Sequence, residues 1–292
     1  TYTVEEATFD SFKGIDIALF AGGSISKDFA PHAVKAGAVV IDNSSAFRMD
    51  PEVPLVVPEV NPQAILKHKG IIANPNCSTI IMVMALKPIY DLAKIKRVIV
   101  STYQAVSGAG KEGIDELDAQ VREHSEGREM TANILPSASA EKHYPIAFNL
   151  IPQIDVFCDN LYTKEEMKMV NETKKIMEDY EMRITATTIR VPVYRSHSES
   201  VNIELEKEVD LGAMREALAK FPGVTVQDDP SKQEYPMPLY TSEKDDVYVG
   251  RLRRDESCEK SYNMWVVGDQ IRKGAALNTL QIAETMIKNG WI

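Results

Sequence analysis

The chain reads Asn74-Pro75-Asn76-Cys77-Ser78-Thr79 around its first cysteine. The apolar run Ile80 to Ile89 that follows predicts a helix, so Cys77 falls at or just before a helix N-terminus. Free N–H groups and the helix dipole there lower a thiol's pKa and can hold an oxyanion, which suits a nucleophile. A lone cysteine is more often a small buried hydrophobe. Here, however, the flank of Asn, Ser and Thr is too polar for a core position. Of the five histidines, His32, His68 and His124 lie in charged or helical surface contexts, and His143 before Tyr144-Pro145 reads as structural. His197 differs, because it follows Arg190-Val191-Pro192-Val193-Tyr194-Arg195-Ser196, where a strand gives way to a polar turn between two arginines. A cysteine and a histidine are the minimum for thiolate catalysis, and an arginine fork would grip a substrate carboxylate through two parallel hydrogen bonds. Spacing alone leaves two readings open, cysteine-dependent acyl transfer and a structural cysteine.

The elements that must position these residues change character along the chain. Ile15 to Phe20 ends in Ala21-Gly22-Gly23-Ser24, a helical stretch covers Ser26 to Ala36, and Ala38 to Ile41 ends in Asp42-Asn43-Ser44-Ser45. Short apolar runs closed by Gly, Asn or Ser read as buried parallel strands in βαβ order. Ligands of such sheets sit beyond the carboxyl ends of the strands, which puts Gly22, Gly23, Asn43 and Ser44 at a binding edge. A strand over Gly70 to Ala73 leads into the cysteine segment. Beyond residue 94 the pattern predicts strands at Lys96 to Tyr103, Arg183 to Val193 and Ser200 to Leu205, with helices at Gly113 to Ser125, Lys164 to Tyr180 and Leu211 to Phe221. Strands mixed with helices in this way suggest an α+β sheet domain. A final helix over Lys273 to Asn289 carries Ala276, Leu280, Ala283 and Ile287 as its packing stripe, and Tyr235-Pro236-Met237-Pro238 reads as a loop.

Composition restricts the partners. With 292 residues, 44% of them hydrophobic, the chain can bury a large core as one large domain or two linked ones. Its 43 acidic and 33 basic residues give a net charge of −10, which repels nucleic acid and anionic lipid. Small anionic substrates then need local cations. Three scattered cysteines suggest neither a disulfide framework nor a zinc site and point to the cytosol. No stretch approaches the roughly 20 apolar residues of a membrane span, and no secretion signal is visible.

The motif at Cys77, followed by Ser101-Thr102-Tyr103-Gln104-Ala105-Val106-Ser107-Gly108-Ala109-Gly110 and by Arg190-Val191-Pro192-Val193 with His197, closely resembles the aspartate-β-semialdehyde dehydrogenase family in its bacterial form. His143-Tyr144-Pro145-Ile146-Ala147-Phe148-Asn149, Tyr162 to Lys168 and Lys273-Gly274-Ala275-Ala276-Leu277-Asn278 continue the resemblance in the family's order. It implies a Rossmann-like dinucleotide-binding domain, here truncated at its N-terminus, over 1–76 and completed by a C-terminal helix over 274–292. An α+β catalytic and dimerisation domain of the glyceraldehyde-3-phosphate dehydrogenase-like type would span 77–273. The family pattern opens with a strand, a Gly-rich loop and a helix that have no counterpart in this sequence.

The same resemblance implies site roles. Cys77 matches the nucleophile, His197 the general acid/base, and Gln104 the residue that orients the substrate. Arg190 matches the arginine that holds the substrate carboxylate, Glu165 the carboxylate facing its ammonium group, and Asn76 a further substrate contact. Arg48 and Lys168 match phosphate-site cations. Gly22, Gly23, Ser24, Asn43, Ser44, Ser107, Gly108, Gly110 and Asn278 match cofactor contacts, the last beside the nicotinamide. The implied reaction is NADPH-dependent conversion of β-aspartyl phosphate to aspartate semialdehyde and phosphate by a homodimer or homotetramer, with no metal. Without the resemblance, Glu165 and Lys168 read as a surface ion pair and Arg48 as a solvated loop residue. Two rivals remain at this point, N-acetyl-γ-glutamyl-phosphate reductase and a non-catalytic dimerising fragment of the same fold.

Overall fold

A computed structural model describes residues 3–292. The chain divides into two compact units, Thr1–Asn76 with Ala275–Ile292, and Cys77–Gly274.

The first unit is built on three short parallel strands, β1 (Ile17–Phe20), β2 (Val39–Asp42) and β3 (Ile71–Ala73), in the order β1-β2-β3, with α1 (Ser26–Lys35) linking the first two. Alternating side chains supply both faces of this sheet, as the period of a strand requires. On one face Ala18 and Val40 pack with Ala30 and Ala33 of α1, whose small side chains let helix and sheet approach closely. On the other, Ile41 and Ile72 pack with Val56, Ile65, Ile282 and Met286, the last two from a C-terminal helix over Leu277–Lys288. Apolar cover on both faces explains why these strands read as continuous hydrophobic runs.

The phase of that last helix corrects the expected stripe. Leu280 and Ile287 are exposed, and the inward face carries Asn278, Thr279, Ile282 and Met286. Ala283 of the expected stripe still packs against the core, but the helix is turned so that the polar Asn278 and Thr279 face inward into a buried hydrogen-bond network.

The second unit begins with α2 (Cys77–Leu92) and continues through β4 (Ile95–Gln104), α3 (Lys111–Ser125), α4 (Lys164–Met177), β5 (Arg183–Arg190), β6 (His197–Leu205), α5 (Leu211–Lys220), β7 (Val224–Val226), the short α6 (Pro238–Thr241), β8 (Val247–Arg254) and β9 (Ser261–Gly268). The C-terminal helix of the first unit is then α7. Six strands form one mixed sheet in the order β5-β4-β6-β9-β8-β7. α2 is apolar nearly all round, with Ile80 to Leu86 and Ile89 fully buried, as befits a central helix. It packs with α4, α5 and β9 on one face of the sheet.

Differences from the expected boundaries have local causes. β5 stops at Arg190, since Pro192 cannot extend a ladder. β6 starts three residues early, so His197 is its first residue and lies in the sheet instead of a polar turn. Strands β7, β8 and β9 lie outside the strands that the sequence pattern predicts. Among the described residues, no helix is long and apolar enough to cross a membrane.

Candidate active site

One face of the second unit's sheet gathers the chemistry-bearing side chains. Register pairs Gln104 of β4 with Arg190 of β5 and His197 of β6 with Gly268 of β9, and Tyr103 with Ser198 between them. Because side chains alternate across a strand, Arg190, Gln104 and His197 form a row at the end of the sheet, under the helices. A second row beneath it carries Thr188, Thr102 and Glu199. All six are buried.

Cys77 is the first residue of α2 and is partly exposed, so its sulfur stands where the free N–H groups and dipole of a 16-residue helix favour an anion. Gly274 closes on it: a Cβ there would lie 3.0 Å from the Cys77 Cβ. Arg190 and Cys77 interact electrostatically, as do Arg190 and Glu165. Burial lowers the Arg190 pKa, and both of those groups oppose the shift. Its Nη1 donates to the Ala105 carbonyl at 2.7 Å, whereas Nε has no hydrogen-bond partner. A buried guanidinium with an unspent donor is a receptor for a carboxylate.

His197 is fully buried and its pKa lies well below the ordinary 6.5, first through burial and then through Arg190. Its Nδ1 accepts the Ala105 N–H at 3.1 Å and its Nε2 has no partner. Gly108 lies against both groups, since a Cβ there would meet Arg190 Nη1 at 2.7 Å and His197 Nε2 at 3.3 Å. We therefore expect Gly108→Ala to displace the guanidinium and lower kcat/KM by about tenfold or more, since small misplacements of positioning groups are costly. An unchanged kcat/KM in the steady-state assay would remove Gly108 from the site's supporting frame.

α4 delivers Glu165. Thr163 caps the helix by accepting the Glu166 N–H, while Glu166 accepts the Thr163 N–H at 2.7 Å and the Thr188 N–H at 3.0 Å. This reciprocal cap pins the first turn to β5. Glu165 is buried, accepts from Gln104 Nε2 at 3.3 Å and pairs with Lys168 Nζ at 3.1 Å. Lys168 also pairs with Asp155 at 3.0 Å. Burial works against its charge, but Glu165 and Asp155 outweigh it and hold the ammonium above its ordinary value. The surface-pair reading of Glu165 and Lys168 is thus corrected, as one carboxylate is buried and the cation is shared between two.

The remaining expected residues are dispersed. Arg48 is buried in the first unit, where Nε donates to the Asn74 carbonyl and Nη2 to the Asn43 carbonyl, so it is not a solvated loop residue. Asn278 donates to Val56 O and Asn74 Oδ1, and Asn74 Nδ2 and Thr279 Oγ1 both donate to Asn43 Oδ1. Ser44 donates to the buried Asp42. Asn76 is buried immediately before α2. In the second unit the buried Ser107 hydroxyl accepts from Gln270 Nε2, and Gly110 opens α3. The Gly22-Gly23-Ser24 turn lies at the carboxyl end of β1, with open space where a Cβ on Gly23 would project. An accessible backbone turn at that edge fits a dinucleotide. Thr102, Asp155, Glu199, Gly274 and the Ala105 backbone also shape this region, and none has a local sequence signal of its role.

Glu199 is fully buried, both carboxyl oxygens lack partners, and burial holds its pKa well above 4.5. Above 4.5 the unfolded chain loses this proton while the native state keeps it, so native protein binds more protons and stability falls as pH rises toward the raised native value. His197 has the opposite effect, because the unfolded ring gains a proton below 6.5 and the native ring does not. Above 6.5 the unfolded ring is already neutral, so His197 adds no further slope, and a fall of stability with rising pH is the signature of Glu199. Glu199→Gln should remove it, which denaturant midpoints across pH would show as a flatter curve for the variant.

Residues 86–273 match the family model for the semialdehyde dehydrogenase dimerisation domain, and residues 1–68 that for the semialdehyde dehydrogenase NAD binding domain. The aspartate-semialdehyde dehydrogenase of Aquifex aeolicus is 57% identical over all of this chain and 85% of its own length. That of Bacillus subtilis is 54% identical over 98% of this chain and 83% of its own. A crystal structure of aspartate semialdehyde dehydrogenase II from Vibrio cholerae, complexed with ASA, superposes with a TM-score of 0.90 at 46% identity, covering 98% of this chain and 83% of that one. The chain belongs to the aspartate-semialdehyde dehydrogenase family.

Proposed function

We propose that the chain catalyses the NADPH-dependent reductive dephosphorylation of β-aspartyl phosphate through a thioester on Cys77. The observation that carries this reading is the placement of a helix-start cysteine within the electrostatic reach of a buried arginine, itself beside a buried histidine. Cys77 attacks the acyl carbon and phosphate leaves. When bound, NADPH supplies a hydride equivalent to the thioester carbon, held in part by the turn at Gly22, Gly23 and Ser24, with Asn43, Ser44, Ser107, Gly108, Gly110 and Asn278 as further contacts. Cys77 then departs as the semialdehyde forms.

Arg190 receives the substrate α-carboxylate, and Glu165 its ammonium group. Gln104 orients the substrate from between them without adding charge. His197 attends the carbonyl oxygen. Lys168 and Arg48 are the cations for phosphate, and Asn76 borders the nucleophile. Buried Glu165 supports a substrate with a free amine and disfavours an acetylated one, whose amide has no charge to meet a carboxylate. The match of 86–273 to a dimerisation domain supports a homodimer or a homotetramer, and cytosolic residence accords with the composition.

The test follows NADPH formation from aspartate semialdehyde and NADP. Phosphate-dependent turnover supports the reading. Selectivity for the N-acetylated glutamyl substrate would transfer the assignment to that chemistry.

A further inference from the structure

Lys168 carries one more partner than a phosphate cation needs. Its ammonium donates to Glu165 Oε2 at 3.1 Å and to Asp155 Oδ2 at 3.0 Å, so two carboxylates share one cation and the trio is negative overall. The Glu165 side chain is sealed at 6% exposure, whereas those of Asp155 and Lys168 are open at 32% and 27%. An ammonium has three donors, of which these carboxylates take two, and the cluster is approached from the Asp155 side. Asp155 is fixed there by its own loop. It sits at φ 68°, its Oδ1 accepts the Val156 N–H at 2.8 Å, and its carbonyl accepts from Gln153 Nε2 at 3.1 Å. The Val156 carbonyl in turn accepts the Lys164 N–H at 2.9 Å, which ties the loop to the first residue of α4. Burial by itself would raise the Asp155 pKa, but the Val156 N–H and Lys168 outweigh it and hold the carboxylate below its ordinary value. An anion is thus anchored to the backbone beside the cation.

A phosphate group brought to Lys168 meets two negative charges already placed on it. The substrate's ammonium can take over Glu165, which relieves one of them. Nothing in the substrate takes over Asp155, because its other charged groups are anions. We propose that Asp155 is an internal competitor of phosphate, its carboxylate holding Lys168 in the empty site, yielding it to the substrate's phosphate group and returning as inorganic phosphate leaves. This rests on the reading of Lys168 as a phosphate cation and of Glu165 as the partner of the substrate's ammonium. The step is an exchange of ion pairs, with no bond made or broken at Asp155 and no proton moved. Its consequence is a deliberately weak hold on inorganic phosphate, so that release after acylation is favoured over re-attack on the thioester.

Asp155→Asn isolates the charge. Asparagine tolerates a positive φ, and its Oδ1 can still accept the Val156 N–H, so the loop keeps its frame while the anion is lost. Initial rates with the full chain, aspartate semialdehyde, NADP and varied inorganic phosphate should give a phosphate KM about two- to fivefold below the parent's, the scale of a partly exposed ion pair. The KM for aspartate semialdehyde should not fall with it. Phosphorus NMR line broadening of inorganic phosphate titrated with protein should rank parent and variant in the same order without turnover. Damage to a merely structural contact would not tighten a ligand, so the direction of the change separates the two roles. A phosphate KM that is unchanged or higher in Asp155→Asn would overturn the proposal. Lys168→Met should raise the phosphate KM and cancel the effect of Asp155→Asn in the double variant. An effect of Asp155→Asn that persists without Lys168 would overturn the competition while leaving the phosphate reading of Lys168 intact. A phosphate KM unchanged in Lys168→Met would instead remove that reading, and this proposal with it.

Discussion

Cys77→Ala should abolish phosphate-dependent turnover, with kcat falling by about 10⁴-fold or more, the scale seen when a covalent nucleophile is removed. The loss should appear in kcat and not in folding. Cys77 is partly exposed, and removing one sulfur from the first turn of α2 leaves the packed residues Ile80 to Ile89 in place. Circular dichroism and melting curves close to the parent's would establish that the variant is folded. Residual activity within about tenfold of the parent would mean that Cys77 is a spectator. Cys77→Ser is the stricter version, since it keeps volume and polarity but offers an alcohol in place of an ionisable thiol.

Arg190→Met should lower kcat/KM for aspartate semialdehyde by about 10²–10³-fold, as expected when one partner of a buried, hydrogen-bonded charge pair is removed. Arg190 is 3% exposed, pairs in register with Gln104 and lies with His197 Nε2 around Gly108, with Nε unspent. Arg190→Lys should recover little of the loss, because an ammonium cannot present two parallel N–H groups to a carboxylate. Stability should move the other way or hardly at all. Burial depresses the Arg190 pKa, which marks a desolvation cost that methionine does not carry. A variant that is both less stable and fully active would contradict the assignment of Arg190 to substrate recognition.

How far the sequence discloses this arrangement depends on whether a feature is local. The Cys77 segment is local: a polar flank followed by an apolar run announces a helix start, and α2 begins at that residue. The first unit's strands are also local, since each is a short apolar run closed by a turn residue. The capping box Thr163-Lys164-Glu165-Glu166 could have fixed the start of α4 and flagged Glu166 as the residue tying that helix to Thr188. Strand β8 was hidden because Gly250 interrupts its apolar alternation, a bulge lies between Gly250 and Arg253, and Arg251, Arg253 and Arg254 are exposed. β9 presents polar Asn263 between buried neighbours, so its period is weak.

The site itself is least visible, because it is made by register. Gln104 meets Arg190 across the β4–β5 pairing, and His197 reaches Ala105 from 92 positions away. Nothing near Glu199 in the sequence says that it will be sealed beneath that row, since Ser198 and Ser200 on either side read as an open polar strand. Its partner in the pairing, Thr102, is equally silent. Arg48 and Lys168 show the same limit: sequence types them as cations, but only the fold shows that one staples backbone carbonyls and the other is shared by Glu165 and Asp155.

The covalent step can be observed directly. The protein is mixed with aspartate semialdehyde and NADP without phosphate, quenched in acid, digested and sequenced by mass spectrometry. An aspartyl group carried by the peptide containing Cys77, released by hydroxylamine and not formed in Cys77→Ala, is the predicted result. An unmodified Cys77 peptide from protein that turns over when phosphate is restored, or an adduct on Cys158 or Cys258, would contradict the account.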